Sequence, residues 1–225
     1  GQNGIFPTSP CPEDFVRQYH QLETLFEAIL VLAPASALLP VFESARLAVR
    51  NYTGKIPILV LDSQHIGAAL GILTKIACQA AQKNTSLTEI ERQVRAAVPR
   101  LYHLVVASSP QNLSQYGLLA TSAPLELNGP KLWPGYTLEE GQFQPFVQIR
   151  SRRHLLETFL EFIEEFNRPL EISFSRAKEC GLRAATLRAT SVEFFPDTPF
   201  FESEFSPALS AFFGPASASI TILDE

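Results

Sequence analysis

Two uninterrupted apolar runs, EAILVLA (27–33) and KIPILVLD (55–62), are each followed by a segment of helical periodicity, and a third run, YHLVVAS (102–108), closes the pattern. Runs that do not alternate apolar with polar belong to strands buried on both faces. Strands separated by helices of this length are expected to pair in parallel through right-handed crossovers. The pattern restricts the first half to an α/β arrangement and predicts a small, parallel, Rossmann-like lobe over residues 1–108. Pro57 requires the second strand to begin late or lie near an edge.

The intervening helices are legible. Phe15, Tyr19, Leu22 and Phe26 share one face of a helix predicted over 12–25. Pro12 suits its first position, and Glu13 and Asp14 suit its positive end. SALLPVFESARLAVR (36–50) reads as a helix with Pro40 tolerated near its first turn. Residues 65–82 form a third helix. SLTE (86–89) is a capping box for a fourth that runs to about Arg100.

The second half changes character. SSPQN (108–112) reads as a hinge, and Asn128-Gly129 between apolar runs is a hairpin signal. Strands are predicted at FQPFVQIR (143–150), LEISFS (170–175), RATSVEFF (188–195) and SASITIL (217–223), with helices over 151–166 and 176–187. Residues 109–225 are therefore expected to form an α+β lobe with mostly antiparallel strands, leaving a ligand cleft between the lobes.

Composition excludes several functions. A net charge of −5 argues against nucleic acid as a partner, because phosphate binding needs a basic face. Three widely spaced cysteines give no disulfide framework or zinc pattern, so a cytoplasmic setting is expected. No run reaches the roughly 18 apolar residues of a membrane span, so no stable membrane insertion is expected. The absence of methionine marks Gly1 as a processed end, a fusion scar or the edge of a fragment. His20, His65, His103 and His154 have no ligand spacing, and no phosphate-binding glycine loop or serine-nucleophile elbow occurs, so neither metal nor cofactor is expected.

Candidate site residues come from geometry. Ligands of open α/β sheets lie beyond the carboxyl ends of strands, against helix N-termini, where unpaired N–H groups favour anions. Ser36 follows the first strand and Ser63 the second, while Thr8 and Ser9 precede the first helix. Each hydroxyl either caps a helix or donates to an anion. Cys11 stands where a capping residue or an activated thiol stands. Arg150 opens the basic cluster IRSRRH, which reads as either solvated charge or a binding edge.

Five of these segments, in this order, resemble the DegV family of bacterial fatty-acid-binding proteins. TSPCPEDFVRQY resembles the family's Thr-Ser segment and following helix. ILVLAPASALLPVFESA resembles its strand and serine-rich loop, with Ser36 at the loop serine. VLDSQHIGAALGILTKIA resembles its Val-x-Asp-Ser segment, which places Ser63. VQIRSRRHLLETFLEFI resembles its Val-Arg-x-Arg helix start, which places Arg150, and LSAFFGPASASITIL resembles its terminal strand, with Phe212 at a family histidine. The resemblance implies that Thr8 and Ser36 hydrogen-bond the carboxylate of a long-chain fatty acid, with Ser9, Ser63, Arg150 and Phe212 around the ligand. It implies a carrier without catalysis of its own, whose partner is a fatty acid kinase. The alternative is a degenerate relative acting in assembly, with seven of the 17 phenylalanines, gathered between 194 and 213, as a partner surface. Ala37 and Pro40 replace family glycines, LSQYGLLAT replaces a Gly-Gly-Arg region, and the family's first strand is not matched, so either a segment is missing or the lobe is a reduced version.

Overall fold

The computed structural model describes residues 7–119 and 132–225. The expected hairpin at Asn128-Gly129 lies outside these residues.

Helix α1 (Pro12–Leu22) and helix α2 (Val41–Asn51) pack on one face of a two-stranded parallel sheet, β1 (Ile29–Ala33) and β2 (Ile58–Asp62). Both faces of these strands are covered, which accounts for their uninterrupted apolar sequence. Ile29, Val31 and Ile58 face Tyr19 and Ala48, while Leu30, Leu32, Leu59 and Leu61 face helices α3 (Ala68–Ala81) and α4 (Leu87–Ala97). The Ser86 hydroxyl caps α4 by accepting the Glu89 N–H at 3.3 Å, as its sequence predicts.

A six-stranded sheet lies beyond α3 and α4. Its strands are β3 (Leu101–Val106), β4 (Trp133–Glu139), β5 (Gln142–Ile149), β6 (Pro169–Arg176), β7 (Phe200–Glu204) and β8 (Ala218–Asp224), in spatial order β5-β4-β3-β8-β6-β7. All its pairings are antiparallel except β6 with β7. Helices α6 (Arg152–Glu164) and α7 (Ala184–Phe194) cover its outer face through Phe159, Phe174, Leu187, Ile220 and their neighbours. Helices α5 (Pro110–Gln115) and α8 (Pro207–Phe213) pack together beside β3 to β5. The chain is thus α/β, with a small parallel sheet and a larger, mostly antiparallel one.

Four local expectations are corrected. The strand near 102–108 does not extend the parallel sheet. It lies antiparallel to β8, with Leu101 opposite Leu223, because its partner is the far end of the chain rather than its sequence neighbour. The segment RATSVEFF is helical, not extended. Leu187 and Ser191 are buried one turn apart, and the Ser191 hydroxyl donates to the Leu187 carbonyl at 2.7 Å, so burial at helical spacing outweighs the β propensity of Thr190 and Val192. The helix expected over 176–187 accordingly begins only at Ala184. SSPQN is not a hinge, since Ser109 and Pro110 start α5, whose Pro110 and Leu113 are buried.

Candidate functional site

The loop after β1 and the turn after β2 are stitched together. The Ala35 N–H donates to the His65 carbonyl at 2.9 Å and the Ser63 N–H to the Ala33 carbonyl at 3.0 Å. Asp62, the last residue of β2, accepts from the Ser36 N–H at 3.1 Å, from the Ser36 hydroxyl, and from the Gln64 N–H at 2.9 Å. The β4–β5 hairpin rests on the same loops. Its turn residues Glu140 and Gly141 have φ of 50° and 80°, and a Cβ added at Gly141 would lie 3.5 Å from that of Ala35.

Between these loops and β6, β7 and α8 lies a cleft of about 410 Å³, within the roughly 300–1,000 Å³ of small-molecule pockets. Pro34, Leu39 and Ile66 form one wall, and Phe205, Leu209 and Phe212 the other. Gly67 and Ala68 bring the start of α3 to the cleft, and α3 has no capping side chain. The polar residues of the lining are Ser175, Ser203, Glu204 and Ser206. The walls continue into a shared core in which Phe212 meets Tyr116 edge-on at 5.2 Å and Phe213 meets Phe143 at 5.7 Å.

Of the sequence candidates, Phe212 lines this cleft. Ser36 lies two residues beyond the lining residue Pro34, but its single O–H already donates to Asp62. Ser63 is fully buried, and its hydroxyl donates to the His65 carbonyl at 3.0 Å and accepts the His65 N–H at 3.1 Å, so it closes a turn. Thr8 is exposed and Ser9 half-buried ahead of α1, and neither lines the cleft. Arg150 is exposed at the end of β5, where its N–H donates to the His154 ring at 3.3 Å. Cys11 is the N-cap of α1, and its N–H donates to the Asp14 carboxylate at 3.1 Å. Hydrogen bonds from the thiol to Glu13 and Asp14 hold its pKa above the ordinary value, opposite to what a nucleophile needs.

Sequence reasoning missed the cleft serines. Their signal is a period-two polar pattern, Ser173 and Ser175 in LEISFS and Ser219 and Thr221 in SASITIL, inside strands otherwise apolar. The phenylalanine-rich stretch is mainly interior: Phe200, Phe212 and Phe213 are buried, whereas Phe194 and Phe201 are exposed. Among the described residues no cluster of His, Cys, Asp or Glu could hold a metal, and no helix is long and apolar enough to cross a membrane.

A small parallel sheet stacked through two helices on a mixed six-stranded sheet, with an apolar cleft opening between them, defines a two-sheet α/β protein of ligand-binding shape. The same fold occurs in a DegV family protein from Eubacterium eligens loaded with heptadecanoic acid, which is 12% identical with a TM-score of 0.86, covering 100% of this chain and 82% of that one. It occurs too in the Streptococcus pneumoniae fatty acid kinase B3 protein loaded with linoleic acid, at 16% identity and TM-score 0.82, covering 97% and 78%. In sequence, a DegV domain-containing protein of Caldanaerobacter subterraneus is 23% identical over 165 residues, 72% of this chain. The match spans 59% of that relative's length. The family model described as "Uncharacterised protein, DegV family" matches residues 1–225, and the chain belongs to the DegV family.

Proposed function

We propose that the protein is a carrier of long-chain fatty acids, holding the acyl chain in the cleft between the two sheets. One observation carries this reading: an apolar cleft of about 410 Å³, walled by Leu39, Ile66, Leu209 and Phe212, in a chain of this family. Each methylene removed from water contributes about 0.8 kcal/mol, so such walls favour a long aliphatic ligand. The heptadecanoic and linoleic acids held by the related structures support the same ligand class.

In this reading residues 1–108 supply the head-group end and residues 109–225 cover the acyl chain. The carboxylate sits on the rim at Ser36 and Thr8, with Ser9, Ser63 and Arg150 around it. Ser36 serves only after its hydroxyl turns from Asp62 to the ligand, since one O–H cannot donate fully to both. Ser63 contributes by fixing the turn that carries Asp62. The protein performs no chemistry itself, and a fatty acid kinase is the partner that acts on the exposed head group. The name of the Streptococcus pneumoniae relative supports that partner.

The test is titration with a fluorescent fatty acid competed by palmitic acid, on the natural protein and on Leu209→Trp, which fills the cleft. Saturable, competed binding that Leu209→Trp weakens at least about tenfold, with an unchanged circular dichroism spectrum, is expected. Equal binding by both proteins would move the ligand out of this cleft.

A further inference from the structure

The six-stranded sheet has two unlike faces. Toward α6 and α7 it presents Leu104, Ile220, Ile222, Ile172, Phe174 and Phe200. Toward α3 and the cleft it presents hydroxyls in register. Ser203 on β7 stands beside Ser175 on β6, which stands beside Ser219 on β8. In the next row Ser173 stands beside Thr221. Ser175, Ser173 and Ser219 are 3%, 7% and 2% exposed.

These hydroxyls are not all satisfied by the protein. Thr221 bonds His103 at 2.7 Å. Ser175 and Ser203 share one hydrogen bond of 2.7 Å, which uses one of their two O–H donors. Among the described residues, the other donor of that pair and the hydroxyls of Ser173 and Ser219 have no partner. Hydroxyls left unpaired by the protein are available to bond water or a ligand. Ser175 and Ser203 line the cleft itself.

Charge narrows the ligand group. Glu204, the residue after Ser203 in β7, is the one ionisable residue among those lining the cleft. The lining residues include no cation, so the serines suit a neutral hydroxyl better than a carboxylate, whose place in the proposed reading is the rim. A plain methylene chain laid across Ser175 and Ser203 leaves their spare O–H unpaired. A hydroxyl on the chain both accepts from and donates to them.

We infer that the cleft-lining pair Ser203–Ser175 recognises a neutral oxygen substituent on the acyl chain, so that the cleft selects hydroxylated over unsubstituted long-chain acids. The inference rests on the reading of the cleft as a fatty acid site. It is tested by competing a fluorescent fatty acid with stearic acid, with mid-chain hydroxystearic acids and with the ω-hydroxy acid, on the natural protein and on Ser175→Ala and Ser203→Ala. One positional isomer is expected to bind about tenfold tighter than stearic acid. Either substitution is expected to bring that isomer level with stearic acid, whose own affinity stays equal or rises. Ser203 is exposed, so Ser203→Ala keeps the test sound if Ser175→Ala fails to fold. Equal binding of all acids by the natural protein overturns the inference. So does a preference that survives both substitutions, or a loss of stearic acid binding as large as that of the hydroxy acid. Failure of every acid to bind removes the carrier reading and this inference with it, an outcome distinct from binding without preference.

Discussion

Replacing Asp62 by Asn separates the two roles that Ser36 is asked to fill. The Ser36 hydroxyl and N–H both point to the Asp62 carboxylate, which also holds the Gln64 N–H. A fatty acid carboxylate on Ser36 takes that hydroxyl and sits beside Asp62. Two carboxylates about 5 Å apart repel by about 3 kcal/mol at an effective dielectric of about 20. Asp62 is half-buried, so water and salt reduce this to about 1–2 kcal/mol, or roughly tenfold in affinity. Asp62→Asn removes the charge and keeps an amide oxygen for the Ser36 and Gln64 N–H groups. It is therefore expected to tighten fatty acid binding about tenfold, whereas Ser36→Ala, losing a charge-assisted bond, weakens it by about the same factor. Competition titration at neutral pH reads both. Asp62→Asn that leaves affinity unchanged, together with a silent Ser36→Ala, would refute the placement of the head group on this rim.

Three further outcomes follow from packing and protonation. Burial, reinforced by neighbouring His65, pushes the His103 pKa down to about 3. The folded protein then keeps the ring neutral while the unfolded chain protonates it below about pH 6.5, so stability is full above that pH and falls by about 1.4 kcal/mol per unit toward pH 3. Urea denaturation between about pH 7 and about pH 4 should show His103→Gln with a shallower decline, and an identical slope would count against it. Gly141→Ala forces a side chain into φ of 80° against Ala35, and its urea midpoint should reveal a loss of about 1–2 kcal/mol. Ser86→Ala removes the α4 cap and should lower stability by about 1 kcal/mol, with fatty acid affinity unaffected in the same preparation.

The elements that could be read from sequence are those whose burial is decided locally. β1 and β2 are covered on both faces by helices adjacent in the chain, so their apolar runs identify them, and Pro57 correctly delays β2 to Ile58. Ser86 and Glu89 carry the α4 start in four residues. Pairing is decided elsewhere. Nothing near Leu101 records that its neighbour is Leu223, so the sequence points β3 to the parallel sheet, whereas it lies antiparallel to β8 in the six-stranded one. The α7 segment misleads because Thr190, Val192, Phe194 and Phe195 favour extended chain, while the deciding burial of Leu187 is made in the core against the distant sheet.

The candidate site divides the same way. Position after a strand led to Ser36 and Ser63, and both lie in the loops that border the cleft. That their hydroxyls are already engaged depends on Asp62 and His65, which sequence position does not reveal. Phe212 was placed by resemblance and does line the cleft. Ser175 and Ser203 carry no signal of their own, because a serine in a strand is ordinary until its neighbours across the sheet are known.

The carrier reading is tested most directly by the ligand itself. Purified protein, denatured and extracted with organic solvent, is analysed for acyl species by mass spectrometry. A long-chain fatty acid at near-stoichiometric yield, depleted in Leu209→Trp prepared in parallel, is the result expected of an occupied cleft. An empty extract from protein that also fails to bind fluorescent fatty acid would contradict it.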